Sequence, residues 1–145
     1  SKLKTSMPYM EPVYNILEKN HGKVIYFDFW ARWCPPCLAE MEPLKQLRSK
    51  YSTKDLIIYS ICVSEPKEEW EECLNEYSLK NRGIECIYAS DYFGKDNLQK
   101  IRKQWKIDRM PYYLLLNRKG QIVDFGTTAR PSNPQFVSRI DDALK

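Results

Sequence analysis

Histidine is nearly absent from this 145-residue sequence, which contains a single one, His21. The sequence also has a single Cys-x-x-Cys pair, Cys34 and Cys37, and its other three cysteines are widely spaced. A tetrahedral zinc site needs four ligands, so this composition argues against zinc, and we expect neither a metal nor another cofactor. His21 stands beside Gly22 after a predicted helix, which favours a surface or capping role over that of a catalytic base.

Long hydrophobic runs and extremes of charge are also absent. No apolar stretch approaches the roughly 20 residues that a membrane-spanning helix needs. The net charge is only +4, and no basic stripe carries interleaved aromatic residues, so we expect no nucleic-acid partner. An acidic run at 65–76 and a basic run at 95–109 are predicted to be solvated faces of helices. Apolar residues make up 43% of the chain, which with its length predicts one globular domain over residues 1–145. We expect the protein to be a monomer.

The hydrophobic pattern alternates between the periods of strands and helices. The predicted strands are 23–30, Leu56–Val63, Ile84–Tyr88, Tyr112–Asn117 and Gln121–Gly126. A short connection with a glycine, Arg118-Lys119-Gly120, joins the last two as a hairpin. The predicted helices are 8–20, 35–51 with a kink at Pro43, Pro66–Tyr77, 95–105 and a terminal helix through Phe136 and Leu144. This order predicts an α/β fold with a mixed central sheet and helices on both faces.

The Cys-Pro-Pro-Cys segment stands where the first predicted strand meets the next helix. Exposed backbone N–H groups and the helix dipole at such a junction stabilise a thiolate, and a thiolate attacks disulfides. We therefore expect thiol–disulfide exchange, with Cys34 exposed at the helix start and Cys37 one turn further in and more covered. Pro35 suits the first helical turn, and Pro36 stiffens the segment further.

An acid and three further cysteines lie in apolar surroundings. Asp28 stands within the apolar run before Cys34, and burial would raise its carboxyl pKa so that it could exchange the proton of Cys37 near neutral pH. The alternative is an acid at a strand edge that points to water. The remaining cysteines are interpreted as structural thiols and not as a second redox pair: Cys62, Cys73 and Cys86.

Two separate segments resemble known proteins. The stretch from Tyr26 to Cys37, with its Pro-Pro spacer and the following Leu38 to Met41, resembles the thioredoxin superfamily and within it the bacterial TlpA/ResA-type thiol–disulfide oxidoreductases. The run from Arg109 to Val123 is similar to the cis-proline strand and glycine hairpin of that family. The resemblance implies a thioredoxin-like fold over nearly the whole chain.

The resemblance also implies roles for residues at matching positions. Cys34 would attack the substrate and Cys37 would resolve the mixed disulfide, with Asp28 as the buried acid and Glu40 as a second acid. The expected substrate-binding residues are Trp33, Pro35, Met110 and Pro111, where Pro111 is the cis-proline that packs against the disulfide.

The resemblance implies an enzyme that exchanges disulfides with protein substrates, in the reducing direction, and that is served by an upstream redox partner. The alternatives are a non-catalytic binding module of the same fold and a cytosolic reductase like tryparedoxin or nucleoredoxin. Glu40 and Met41 favour the bacterial type, and thus the periplasm or cell envelope over the cytoplasm. The chain begins with Ser1 and not Met, and we expect a signal or anchor segment to be missing from it.

Overall fold

A computed structural model describes residues 7–145 of the chain. The first six residues of the predicted 1–145 domain lie outside this range. The strands are β1 (Val24–Trp30), β2 (Leu56–Cys62), β3 (Ile84–Tyr88), β4 (Tyr112–Leu116) and β5 (Ile122–Gly126). After a short 3₁₀ turn at Pro8–Met10, the helices are α1 (Glu11–Lys19), α2 (Pro35–Ala39), α3 (Met41–Lys50), α4 (Lys67–Glu76), α5 (Ala89–Phe93), α6 (Lys95–Gln104) and α7 (Pro134–Leu144).

The five strands form one mixed sheet in the order β3-β2-β1-β4-β5. Strands β1, β2 and β3 run parallel, whereas β4 is antiparallel to both β1 and β5. β1 therefore lies at the centre, and all seven of its residues are buried, as its nearly continuous apolar sequence predicts. The predicted mixed α/β fold is confirmed.

Alternate residues of β1 face two different parts of the core, because successive side chains of a strand point to opposite sides. Phe27 and Phe29 pack with residues of α1 and α6 on one face of the sheet. On the other face, Tyr26 packs with residues of α3 and α7, while Trp30 joins the cluster around Cys34 and Cys37. The Cys-Pro-Pro-Cys segment thus follows directly from the rigid centre of the fold.

The predicted helix over 35–51 is interrupted, as the proline inside it predicts. The break lies at Glu40, between α2 and α3, whereas Pro43 sits inside the first turn of α3. Proline has no N–H to donate to the carbonyl four residues earlier, and its ring crowds that carbonyl. For Pro43 that carbonyl belongs to Ala39, so the disruption appears one turn before the proline. The kink predicted from Pro43 is thus present, one turn before the proline, and it places Glu40 at the junction.

The remaining differences from the predicted elements are small. Helix α5 was not predicted, because it is only five residues long and follows β3 without an intervening loop. The hairpin is confirmed: Gly120 has a φ of +77°, in the left-handed region that favours glycine, and the Asn117 side chain accepts hydrogen bonds from the next amides of the turn. His21 is exposed, as is most of the acidic face of α4. Within residues 7–145, the helices are too short or too polar to cross a membrane.

Candidate active site

Cys34 and Cys37 form a disulfide at the junction between β1 and α2, with their Cα atoms 5.3 Å apart. Cys34 is the N-cap residue of α2, and its Sγ accepts a hydrogen bond from the Cys37 amide at 3.3 Å. Pro35 and Pro36 fill the first two helical positions and have no N–H groups, so Cys37 supplies the first backbone donor of the helix. Helix α2 has only five residues, so this local donor is the clearest source of stabilisation for a Cys34 thiolate.

The expectation that Cys34 would be exposed at the helix start is wrong in this oxidised state, because both cysteines are buried. Only 3% of Cys34 and 2% of Cys37 are exposed. Both pack in an apolar cluster with Trp30, Ala31 and Met41. Because the disulfide turns Cys34 Sγ toward Cys37, the sulfur faces this cluster and not solvent.

Two of the predicted substrate-binding residues, Trp33 and Pro35, flank Cys34 in the sequence, and a third, Met110, packs against the cluster that contains the disulfide. Trp33 is 68% exposed, and Pro35 is also exposed. The peptide between Met110 and Pro111 is cis, as the resemblance implies, and Met110 packs against the cluster that contains the two cysteines. Pro111 immediately precedes Tyr112, which lies opposite Phe29 in the sheet register, so this peptide and the last residues of β1 lie at the same end of the sheet. The four residues therefore combine an exposed aromatic surface with a partly covered cis-proline segment.

Asp28 is buried, with 3% of its surface exposed, so the alternative of an acid pointing to water is wrong. It lies in β1 between Ser60 of β2 and Tyr113 of β4. Burial, and to a smaller extent the nearby charge of Glu40, raises the pKa of the Asp28 carboxyl to about 8. Asp28 is thus able to change its protonation state close to neutral pH.

Glu40 lies at the break between α2 and α3, and only 9% of it is exposed. Its two carboxylate oxygens accept hydrogen bonds from Ser132, one from the amide at 2.9 Å and one from the hydroxyl at 2.7 Å. Glu40 is predictable from the motif around the cysteines, but Ser132 is not. The two residues are 92 positions apart, and no motif or period in the sequence links them.

Two tyrosines beside Asp28 were also missed. Tyr26 and Tyr113 are fully buried, and their rings stack with centroids 5.8 Å apart. The Tyr26 hydroxyl donates to the carbonyl of Ala129 at 2.7 Å, whereas the Tyr113 hydroxyl has no hydrogen-bond partner among residues 7–145. Burial raises the pKa of both phenols, and the charge of Asp28 adds to the effect. The sequence pattern predicts both only as hydrophobic strand residues, since their hydroxyl contacts depend on tertiary structure.

The other three cysteines are free thiols. Cys62 and Cys73 are buried in the same apolar cluster as the disulfide, and Cys86 is partly buried against it. Burial is the main cause that raises the pKa of each thiol, to about 11 for Cys73 and Cys86. Thiols of this kind react slowly at neutral pH, which agrees with their interpretation as structural residues.

Comparisons with known proteins agree with this arrangement. The profile of the Redoxin family matches residues 11–144. A curated relative, thiol-disulfide oxidoreductase ResA from Bacillus anthracis, is 27% identical over 103 residues, which cover 71% of this chain and 54% of that protein. ResA from Halalkalibacterium halodurans is 26% identical over 116 residues, 77% of this chain and 57% of the relative. The chain thus spans about half the length of the curated relatives that it matches.

Solved structures show the same fold. The solution structure of a putative thiol-disulfide oxidoreductase from Bacteroides vulgatus is 34% identical, with a TM-score of 0.65, and the match covers 88% of this chain and 78% of the other. A putative thiol:disulfide interchange protein DsbE from Chlorobium tepidum has a TM-score of 0.71 at 22% identity, covering 89% and 85% of the two chains, and supports the fold alone. Together with the sheet order and the disulfide at the β1–α2 junction, the family match establishes that this chain belongs to the Redoxin family, within the thioredoxin superfamily.

Proposed function

We propose that the protein is a thiol–disulfide oxidoreductase that reduces disulfides in protein substrates. The observation that supports this most strongly is the Cys34–Cys37 disulfide at the start of α2, in a cluster against which Met110 of the cis Met110–Pro111 peptide packs. Exposed Trp33 and Pro35 add a surface on which an extended polypeptide could lie. The names of the ResA relatives support the same activity.

The proposed reaction begins with the reduced enzyme. The Cys34 thiolate attacks one sulfur of the substrate disulfide, forms a mixed disulfide and releases the other substrate sulfur as a thiolate. Cys37 then loses its proton and attacks Cys34 Sγ. The Cys34–Cys37 disulfide forms, and the second substrate thiolate leaves. An upstream dithiol partner returns the enzyme to its reduced form.

We propose that Asp28 accepts the proton of Cys37 in this reaction. A general base is most effective when its pKa lies close to the working pH, and burial raises the Asp28 pKa to about 8. In its ionised form Asp28 accepts the proton as Cys37 attacks, and in its protonated form it can return the proton when the disulfide is opened. Glu40 is the second acid, and it acts through its charge on Asp28.

The substrate-facing roles belong to Trp33, Pro35, Met110 and Pro111. Exposed aromatic rings contribute large apolar contact areas at protein interfaces. The backbone of Met110 would hydrogen-bond an extended substrate segment next to the disulfide. We further propose that the protein works in the bacterial periplasm or cell envelope, on the basis of the TlpA/ResA-type resemblance.

The activity is tested by following the reduction of insulin by dithiothreitol in the presence of the protein. The wild-type chain should accelerate the reduction, and Cys34→Ser should abolish the acceleration, because the attacking sulfur is lost. Cys86→Ser serves as the matched control, since Cys86 is a free thiol outside the reacting pair. Equal acceleration by the wild type and Cys34→Ser would overturn the proposal.

A further inference from the structure

A loop distant in the sequence fixes the position of the Glu40 carboxylate. Ser132 lies just before α7, and its amide and hydroxyl each bind one oxygen of Glu40, at 2.9 and 2.7 Å. Burial removes water from the carboxylate, and hydrogen bonds to an ionised group are the strongest replacement for that water. With both oxygens held, the carboxylate cannot turn toward solvent without losing both contacts.

Glu40 links this loop to the reacting cysteines and to Asp28. Its amide donates to the carbonyl of Cys37 at 3.1 Å, so Glu40 belongs to the turn that carries the resolving cysteine. The charge of Glu40 also acts on the Asp28 carboxyl and favours its protonated form. A negative charge near a buried carboxyl opposes the ionisation of that carboxyl.

The remaining titratable groups around Asp28 come from several elements. Tyr26 and Tyr113 face it from β1 and β4, and the thiols of Cys62 and Cys86 approach from β2 and β3. Burial raises the pKa of all four, so they are neutral at pH 7. Two charged groups lie further out: Asp124 of β5 acts on Tyr26, and Arg130 acts on Tyr113. Burial is the larger cause of the raised Asp28 pKa, and among the described residues Glu40 is the charged group that adds to it.

We propose that Ser132 is a positioning residue for proton transfer: it holds the Glu40 carboxylate where its charge acts on Asp28, and so sets the pH at which Asp28 can accept the proton of Cys37. The proposal rests on the proposed function for its catalytic meaning, whereas the effect of Ser132 on Asp28 is measurable without any activity. Loss of the Ser132 hydroxyl releases one carboxylate oxygen and allows Glu40 to turn toward water. Its charge is then screened, and Asp28 ionises at a lower pH.

The test follows the carboxyl carbon of Asp28 by ¹³C NMR during a pH titration of the oxidised protein, with Asp28→Asn used to assign the signal. Ser132→Ala should lower the titration midpoint by about half a pH unit or more, and Glu40→Gln should lower it further. In the Glu40→Gln background, Ser132→Ala should change nothing, because its effect passes through Glu40. Ser132→Thr keeps the hydroxyl and should restore the wild-type midpoint. Ser138→Ala, on the exposed side of α7, is the control.

The outcomes separate this inference from the proposed function. An unchanged midpoint in Ser132→Ala, or an equal shift in the presence and absence of Glu40, would overturn the role of Ser132. The second readout is the pH dependence of insulin reduction, which should move to lower pH in Ser132→Ala together with the NMR midpoint. If the midpoint moves and the activity profile does not, Ser132 controls Asp28, but the assignment of Asp28 as the proton acceptor is wrong.

Discussion

At the scale of individual residues, two buried tyrosines that stack against each other differ in one hydrogen bond of their hydroxyl groups. Tyr26 and Tyr113 stack against each other in the same buried layer, but only Tyr26 has a partner for its hydroxyl within residues 7–145. A buried hydroxyl without a partner costs about 1–3 kcal/mol, whereas a hydrogen-bonded one contributes about 1 kcal/mol. The same chemical change at the two positions should therefore have opposite effects on stability.

Tyr26→Phe should lower the free energy of unfolding by about 1–2 kcal/mol, because it also leaves the carbonyl of Ala129 without its donor. Tyr113→Phe should be neutral or stabilising by up to about 1 kcal/mol, because it removes an unsatisfied polar group and keeps the ring. Urea denaturation of the oxidised proteins at one fixed pH measures both values. Each variant is the control for the other, and an equal loss in both would contradict the account.

The sequence was informative at this scale where function depends on local order. Cys34, Cys37 and the Met110–Pro111 peptide were identified because each belongs to a contiguous motif, and burial of Asp28 followed from the apolar strand around it. Ser132 was not identifiable, because its relation to Glu40 depends on the loop before α7 closing over the α2–α3 junction. The same holds for Tyr113, whose unpartnered hydroxyl is defined by its surroundings and not by its neighbours in sequence.

Terminal helix α7 begins with a side-chain cap that also fixes the loop carrying Ser132. The Asn133 oxygen accepts a hydrogen bond from the Gln135 amide at 3.1 Å, and its amide nitrogen donates to the carbonyl of Thr128 at 2.8 Å. The first contact satisfies a free N–H of the helix end, and the second closes the loop between β5 and α7.

Asn133→Ala should lower the free energy of unfolding by about 1–2 kcal/mol, because both contacts are lost. Asn133→Asp keeps the oxygen that caps the helix but removes the donor to Thr128, so its loss should be smaller. Thermal and urea unfolding of the two variants and the wild type provide the measurement. Equal stability of Asn133→Ala and the wild type would show that the cap contributes nothing.

The boundaries of helices and strands were predictable where the apolar pattern extends over many residues, as in β1, β2 and α4. The exception was the helix after Cys37, where Pro43 was recognised as disruptive but the break appeared at Glu40. The displacement follows from the carbonyl that the proline leaves unpaired, which lies a full turn earlier. It matters for function, because a continuous helix would not present Glu40 at the junction in the same way.

For the whole molecule, burial of Asp28 makes stability depend on pH. The carboxyl has an ordinary pKa of 3.8 in the unfolded chain and about 8 in the folded protein. Between these values the folded state holds a proton that the unfolded state has released. Stability is therefore highest below pH 4 as far as Asp28 is concerned, and it falls as pH rises toward 8, by up to about 1.4 kcal/mol per pH unit.

Asp28→Asn should remove this dependence, because a neutral amide replaces the carboxyl in both states. Its stability relative to the wild type should increase steadily from pH 5 to pH 8, as measured by urea denaturation at each pH. Asp96→Asn, an exposed aspartate in α6, is the matched control and should run parallel to the wild type. A constant difference between Asp28→Asn and the wild type across this range would mean that Asp28 ionises normally in the folded protein.

The central claim is that Cys34 attacks a substrate disulfide and Cys37 resolves the product. The most direct measurement is mass spectrometry of the reduced Cys37→Ser protein after it is mixed with a disulfide-containing protein substrate. The account predicts a stable adduct through a disulfide at Cys34, and no such adduct with Cys34→Ser. Absence of an adduct in Cys37→Ser, or an adduct located at Cys62, Cys73 or Cys86, would contradict it.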